Sequence, residues 1–431
     1  MITTIGNALP PAVLLLTQIL LAKSLGVSGR GTVAAATAPL LLAVAIFTLG
    51  LPESLTYFVS RDRGRLVRKV GISLAALVLA GVLGTGLVAY LAQPLSAGSR
   101  QLADLMTLAG AALVPALFTA ALRGVAYGAH AWWLVAAERT LGAAVQLVSI
   151  YALYVNGSLT VGTATIAVAA STFAGIAVYL LSPRWWAALR GPKSEIERES
   201  ETSSMFSYAW RIWAGSIAGI ILARLDQVMV TPLAGVDELG IYAVAVNASN
   251  VALLFHSAVG QVIFTVEAGD PSATRVGRAA RMTTLVTALA SAVLAAASPW
   301  LIPGLFGSEF AQAVPVLIIL LLAYAIAIPG SVAGGVLSAR GYPGLRSMSM
   351  LISTVPYVIV MLVLVPRYGA AGAAVAMFVG TVLPGYLNIY LLIRYCDVPP
   401  SEFYRFRRSD LDVLRRAFDW LMRAKRRSTR R

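Results

Sequence analysis

Twelve stretches of this chain run for about 20 residues with almost no charge, the length that crosses a bilayer as a helix. They fall at roughly 5–25, 32–60, 68–91, 101–126, 132–155, 160–182, 205–233, 238–267, 277–301, 311–339, 346–366 and 369–395. A lipid environment offers no water to backbone N–H and C=O groups, so a spanning segment must satisfy them within a helix or a closed barrel. These runs are continuously apolar, which selects the helix. Composition agrees: 58% of the 431 residues are hydrophobic and 12% are charged, against about 25% charged in soluble domains. The expected fold class is all-α, a polytopic membrane protein of 12 transmembrane helices.

Connections between the runs are short except near the midpoint, where the polar stretch RGPKSEIERESETSS falls. That divides the chain into a six-helix bundle over 1–182, a cytoplasmic linker over 183–204, a second six-helix bundle over 205–395 and a basic tail over 396–431. Placing the N-terminus in the cytoplasm puts 27 of the 34 Lys and Arg residues in the even-numbered connections and the tail, with four outside and three, Arg139, Arg211 and Arg224, within spans. Positive charge marks the cytoplasmic side, so both termini are expected there. The same asymmetry accounts for most of the net charge of +15, and a nucleic-acid partner is not expected. The first residues, MITTIGNALPP, lack the basic start of a signal peptide, and the first helix is read as retained. In the tail, Leu411, Leu414, Phe418 and Leu421 make an apolar stripe among arginines after Ser409, Asp410 and Asp412. That is the pattern of an interfacial helix on anionic lipid.

The two halves carry a faint repeat. Displacing residues 17–43 by 209 positions brings Gln18 onto Gln227, Gly26 and Val27 onto Gly235 and Val236, and Gly31 onto Gly240, among seven identities in 27 positions. Two bundles related by pseudo-symmetry around a central cavity are therefore expected.

Catalysis and metal binding find little support. The single cysteine, Cys396, excludes an internal disulfide, and two histidines, His130 and His256, make a histidine metal site unpromising. There is no Walker motif, no connection large enough for a catalytic domain, and no cofactor is expected. Polar groups at membrane depth are the remaining candidates, since each is costly there. Glu138 and Arg139 lie about 10 Å inside the boundary of the fifth span. Either they face a cavity, Arg139 meeting an anionic substrate and Glu138 a coupling proton or cation, or they pair with neighbouring helices. In the seventh span, Arg224 and Asp226 point about 160° apart; Asp226 is a candidate for ion coupling or for a helix–helix pair, and Arg211 for an interfacial position. Asn247, Asn250, Gln261 and Thr265 form a polar stripe on the eighth span, suited to a cavity or to a packed neighbour. Glu53, after Pro52 in the second span, marks a bend with a proton role.

Several segments resemble one family. LDQVMV followed by GVDELGIYAVA, at 225–230 and 235–245, is similar to the start of the second half of bacterial polysaccharide-repeat flippases. LAKSLGVSGRGTVAAA and LGLPESLTYFVSRD resemble their first two helices, and RYGAAGAAVA their last. These belong to the multidrug/oligosaccharidyl-lipid/polysaccharide exporter superfamily. The resemblance implies a transporter, not an enzyme. It would carry a polyprenyl-pyrophosphate oligosaccharide across the bacterial inner membrane, coupled to an ion gradient or the membrane potential. It makes Arg139 and Arg224 the pyrophosphate contacts and Arg61 and Arg123 a cytoplasmic rim that attracts the headgroup. Competing readings are a multidrug or cation extruder of the same fold, a polysaccharide polymerase or ligase, and a scaffold whose tail recruits polysaccharide-assembly proteins.

Overall fold

The computed structural model describes residues 2–61, 66–182, 201–269, 272–399 and 401–404, with side chains described over 10–61, 70–182, 205–253, 272–399 and 401–403. The linker and the tail helix expected from the sequence lie largely outside these residues. Among the described residues every regular element is helical. In chain order they are α1 (Ile2–Phe47), α2 (Leu51–Arg61), α3 (Leu66–Leu95), α4 (Arg100–Gly110), α5 (Leu113–Gly128), α6 (Trp132–Val155), α7 (Val161–Ala174), α8 (Ile176–Leu180), α9 (Glu201–Ala234), α10 (Val236–Gly269), α11 (Ala273–Phe306), α12 (Ala313–Ala339), α13 (Pro343–Cys396) and the short α14 (Ser401–Tyr404).

These helices make the twelve expected spans once their joints are recognised. Gly26 (φ 66°) divides α1 and Gly369 (φ 52°) divides α13 into two spans each, and Gly235 (φ 95°) is the single residue between α9 and α10. A left-handed backbone costs glycine almost nothing, so one residue suffices where a longer turn would otherwise be needed. At the Gly369 joint the freed Ala370 N–H donates to the Glu238 carboxylate at 2.7 Å.

Exposed apolar side chains follow helical spacing. Leu79, Val82, Leu83, Leu87 and Tyr90 line one face of α3, and Leu351, Val355, Ile359 and Leu362 one face of α13. On a membrane helix such a stripe is the face that meets lipid. Inward faces are built from small residues that let backbones approach. In the first lobe a core forms around Leu55, Leu77, Leu113, Leu117 and Val125. In the second, Tyr242, Phe306, Phe310, Leu317, Tyr357 and Met361 pack together with Ala22, Ala35 and Ala36 of α1.

Those alanines belong to the seam between the lobes, and the seam follows the repeat read in the sequence. A methyl group on Gly31 would overlap the carbonyl oxygen of Val236, and one on Gly240 would overlap that of Val27. The displacement of 209 positions exchanges the members of these two contacts. The joints at Gly26 and Gly235 thus cross backbone against backbone about a local two-fold axis. At the opposite end of the seam, the end of α1 and α2 are held to the start of α9 by polar and aromatic contacts. Trp213 donates its indole N–H to the Ile46 carbonyl at 2.6 Å, Ser54 donates to the Met205 carbonyl at 2.9 Å, and the Tyr57 and Tyr208 rings stack at 4.5 Å. Arg61 covers the free face of Tyr57 at 4.3 Å, a cation–π contact. Beyond α13 the chain is tied to the second lobe by Arg281, buried in α11, which donates to the Glu402 carbonyl and lies 3.6 Å from its carboxylate.

Candidate functional site

A cavity of about 950 Å³ lies between α9 and α13, with Ala45 of α1 and Ser338 of α12 completing its wall. Its volume comes from small residues on one face of α9: Gly215, Ser216, Gly219 and Ala223. Three arginines line it. Arg211 and Arg224 stand on α9, thirteen residues or about 20 Å apart along the axis, and Arg346 reaches in from α13. Arg211 and Arg224 are exposed to the cavity and Arg346 is half-buried. Arg211 is steadied within its own helix, donating to the Ser207 carbonyl at 3.2 Å and to its hydroxyl at 3.0 Å. Among the described residues no carboxylate lines this cavity. Three guanidinium groups in a lining that holds no carboxylate among the described residues make a site for an anion, and the planar fork of arginine suits the paired oxygens of a phosphate.

Arg139 stands apart. It lines a second cavity of about 310 Å³ in the first lobe with Arg123, Glu138, Gln146, Ser171 and Thr172. Here the neighbouring acid is already engaged. Arg123 grips Glu138 with both nitrogens of its fork, Nε to Oε2 and Nη2 to Oε1, each at 2.8 Å. The Tyr179 hydroxyl adds a longer bond of 3.4 Å to Oε2. The Glu138 side chain is only 5% exposed and that of Arg123 31%. Of the two readings open for Glu138, this is the arrangement of an ion pair between helices. Arg123, placed at the cytoplasmic rim by the sequence, is the partner in that pair. Arg139, next along α6, is exposed, so the small cavity presents a cation beside a neutralised pair.

Asp226 is buried in the second lobe, where one carboxylate oxygen accepts the Tyr242 hydroxyl and the other has no hydrogen-bond partner among the described residues; the buried Tyr357 hydroxyl likewise has none there. Arg224 and Asp226 do diverge as the helical angle requires, with the arginine in the cavity and the carboxylate in the lobe. Asn247 bonds back to the Ala243 carbonyl at 2.8 Å, and Asn250 is exposed; neither lines the cavities described. The side chains of His256, Gln261 and Thr265 lie outside the described residues. Glu53 is exposed in the first turn of α2. Arg61 sits on Tyr57, at the end of the seam where Tyr208 also borders the large cavity. Of the other two cavity arginines, Arg211 was given an interfacial position by the sequence and Arg346 was not singled out. The stripe of Gly215, Ser216, Gly219 and Ala223 was the signal that α9 carries an open face.

The sequence profile of the family described as polysaccharide biosynthesis protein matches residues 1–265. Among curated proteins, an uncharacterized membrane protein of Methanocaldococcus jannaschii is 25% identical over 197 residues, covering 44% of this chain and 39% of that one. The aligned stretch therefore spans well under half the length of that relative. Among solved structures, the lipid II flippase MurJ in an inward closed conformation superposes with a TM-score of 0.75 at 14% identity, over 93% of this chain and 89% of MurJ. An inward-facing multidrug resistance MATE family transporter of the MOP superfamily gives 0.66 at 14% identity, over 92% and 98%. At such identities the likeness is one of fold: twelve helices in two lobes, as in that superfamily. With the profile covering more than half of its length, the chain belongs to the polysaccharide biosynthesis protein family.

Proposed function

We propose that the protein flips a polyprenyl-pyrophosphate-linked oligosaccharide from the cytoplasmic to the outer leaflet of a bacterial inner membrane, by alternating access between its two lobes. The observation that carries this reading is the cavity with Arg211, Arg224 and Arg346 and, among the described residues, no lining carboxylate, in a chain of this family and fold. A pyrophosphate crossing a bilayer unaccompanied would meet a barrier of several kcal/mol or more. Arginines in a water-filled cavity replace its hydration with charge-assisted hydrogen bonds. A cation extruder would call for the opposite lining.

The geometry also supports a direction. The cavity begins at Tyr208 and Pro343, near the end of the seam that carries Arg61. The other end is shut by the Gly31–Gly240 crossing. With the basic connections cytoplasmic, this is the state that loads substrate from inside. Asp226, buried with one oxygen that has no hydrogen-bond partner among the described residues, is the group we assign to ion coupling, since a buried carboxylate gains most from a proton or cation. The small cavity around Arg139 serves the same substrate as a second cationic station.

Deleting the gene in its host tests the reading. The expected result is loss of a surface polysaccharide, with lipid-linked repeat units accumulating on the cytoplasmic leaflet. Normal polymer together with greater sensitivity to cationic dyes would move the assignment to a drug extruder. Accumulation on the outer leaflet would indicate a polymerase or ligase step.

A further inference from the structure

The arginine cavity does not end at its arginines. A second chamber of about 260 Å³ opens in the second lobe, and the two share Gly219, Ala223, Arg346 and Met350 as common wall. The linings differ in kind. The second chamber is bounded chiefly by apolar side chains, Leu222, Leu253, Ile328, Met377 and Pro384 among them. Two of its polar side chains are turned onto backbone. Thr381 donates to the Met377 carbonyl at 2.8 Å, and Asn388 donates to the Gly330 carbonyl at 3.4 Å. Methionines at the junction and in the wall, Met350 and Met377, adapt their shape to an irregular apolar guest. A cationic chamber joined through one arginine to an apolar one matches a ligand whose anionic group is bonded directly to a hydrocarbon.

We propose that this apolar chamber binds the first isoprenoid carbons of the substrate, next to its diphosphate, while Arg346 at the junction holds the phosphate nearer the lipid. The inference rests on the flippase reading and deepens it. The lipid is gripped at its proximal end inside the second lobe, and only the remainder of the chain stays among the membrane lipids. Arg211 and Arg224 then face the distal phosphate and the sugar end. The chamber is thereby committed to a branched prenyl chain rather than an acyl chain, and the phospholipid competitor below tests that commitment.

The test is binding by the purified full chain in detergent, with farnesyl pyrophosphate and inorganic pyrophosphate as the two probes. Dihexanoyl-phosphatidylglycerol serves as the competitor. The native protein is expected to bind farnesyl pyrophosphate at least about tenfold more tightly than pyrophosphate, from burial of the branched chain. Ala327 of α12 also lines the chamber, and Ala327→Phe, which fills it, should erase that preference and leave pyrophosphate binding unchanged. Met377→Trp does the same from α13, and guards against misfolding of the first variant. Equal binding of the two probes by the native protein would overturn the chamber assignment while leaving the anion cavity standing. A preference that survives in both folded variants would overturn it as well. Binding of neither probe would remove the flippase reading and the chamber together. Competition by the phospholipid as strong as that by farnesyl pyrophosphate would show a general lipid site and refute the prenyl commitment.

Discussion

Replacing Gly31 by leucine should lower transport at least about 100-fold while the protein still inserts in the membrane. The new side chain would meet the Val236 carbonyl, and neither partner in that contact is the far end of a flexible side chain. The crossing can therefore close only if the lobes move apart. Moving a two-state equilibrium from 1:99 to 99:1 takes about 5.5 kcal/mol, and a bulky group at a backbone crossing supplies much of that against the closed form. Gly240→Leu should act alike, because it strikes the Val27 carbonyl from the other side of the same local axis. The conformational part is measurable without substrate. Leu239 is buried beside the crossing in the present conformation, and in a Cys396→Ser background Leu239→Cys should react faster with a membrane-impermeant thiol reagent in either glycine variant than in the parent. Unchanged labelling with full transport would show that the crossing is not a gate.

Glu138→Ala should cost about 3 kcal/mol of stability. The low end of the range for a broken buried pair applies because the Arg123 side chain keeps 31% exposure. The acid leaves Arg123 facing a low-dielectric pocket with both its bonds to Glu138 gone. Removing both partners, in Glu138→Gln with Arg123→Met, should recover most of the loss, since an ion pair replaced by well-packed neutral groups is often neutral. Thermal unfolding in detergent would report both effects. A stable double variant that transports normally would confine the pair to structure. A stable double variant that transports without responding to the ion gradient would return Glu138 to the coupling role.

The spans and their joints were legible because lipid enforces both: length and apolarity define the helix, and a one-residue reversal demands glycine. The repeat was legible for a related reason. Gly31 and Gly240 hold their places through backbone contact, and little else fits there. The site was read less completely. Arg224 was found because charge at membrane depth is costly wherever it faces. Arg346 lies close to a span boundary, where position along the chain cannot separate an interfacial arginine from one turned into a cavity. Arg211 was placed at the interface on the same ground. The pairing of Arg123 with Glu138 joins consecutive spans fifteen residues apart. It depends on helix rotation, which hydropathy does not specify. Arg139 and Arg224 were expected to share one contact, and the structure places them in different cavities.

The most direct test of the central claim is flipping in reconstituted liposomes. A fluorescent disaccharide on farnesyl pyrophosphate, loaded into one leaflet, reports its movement as loss of protection from a membrane-impermeant quencher. The native protein should equilibrate the probe between leaflets. Arg224→Gln combined with Arg346→Gln should fall to the rate of protein-free vesicles with the fold intact. Flipping at the native rate by that double variant would contradict an account in which the arginine cavity carries the pyrophosphate.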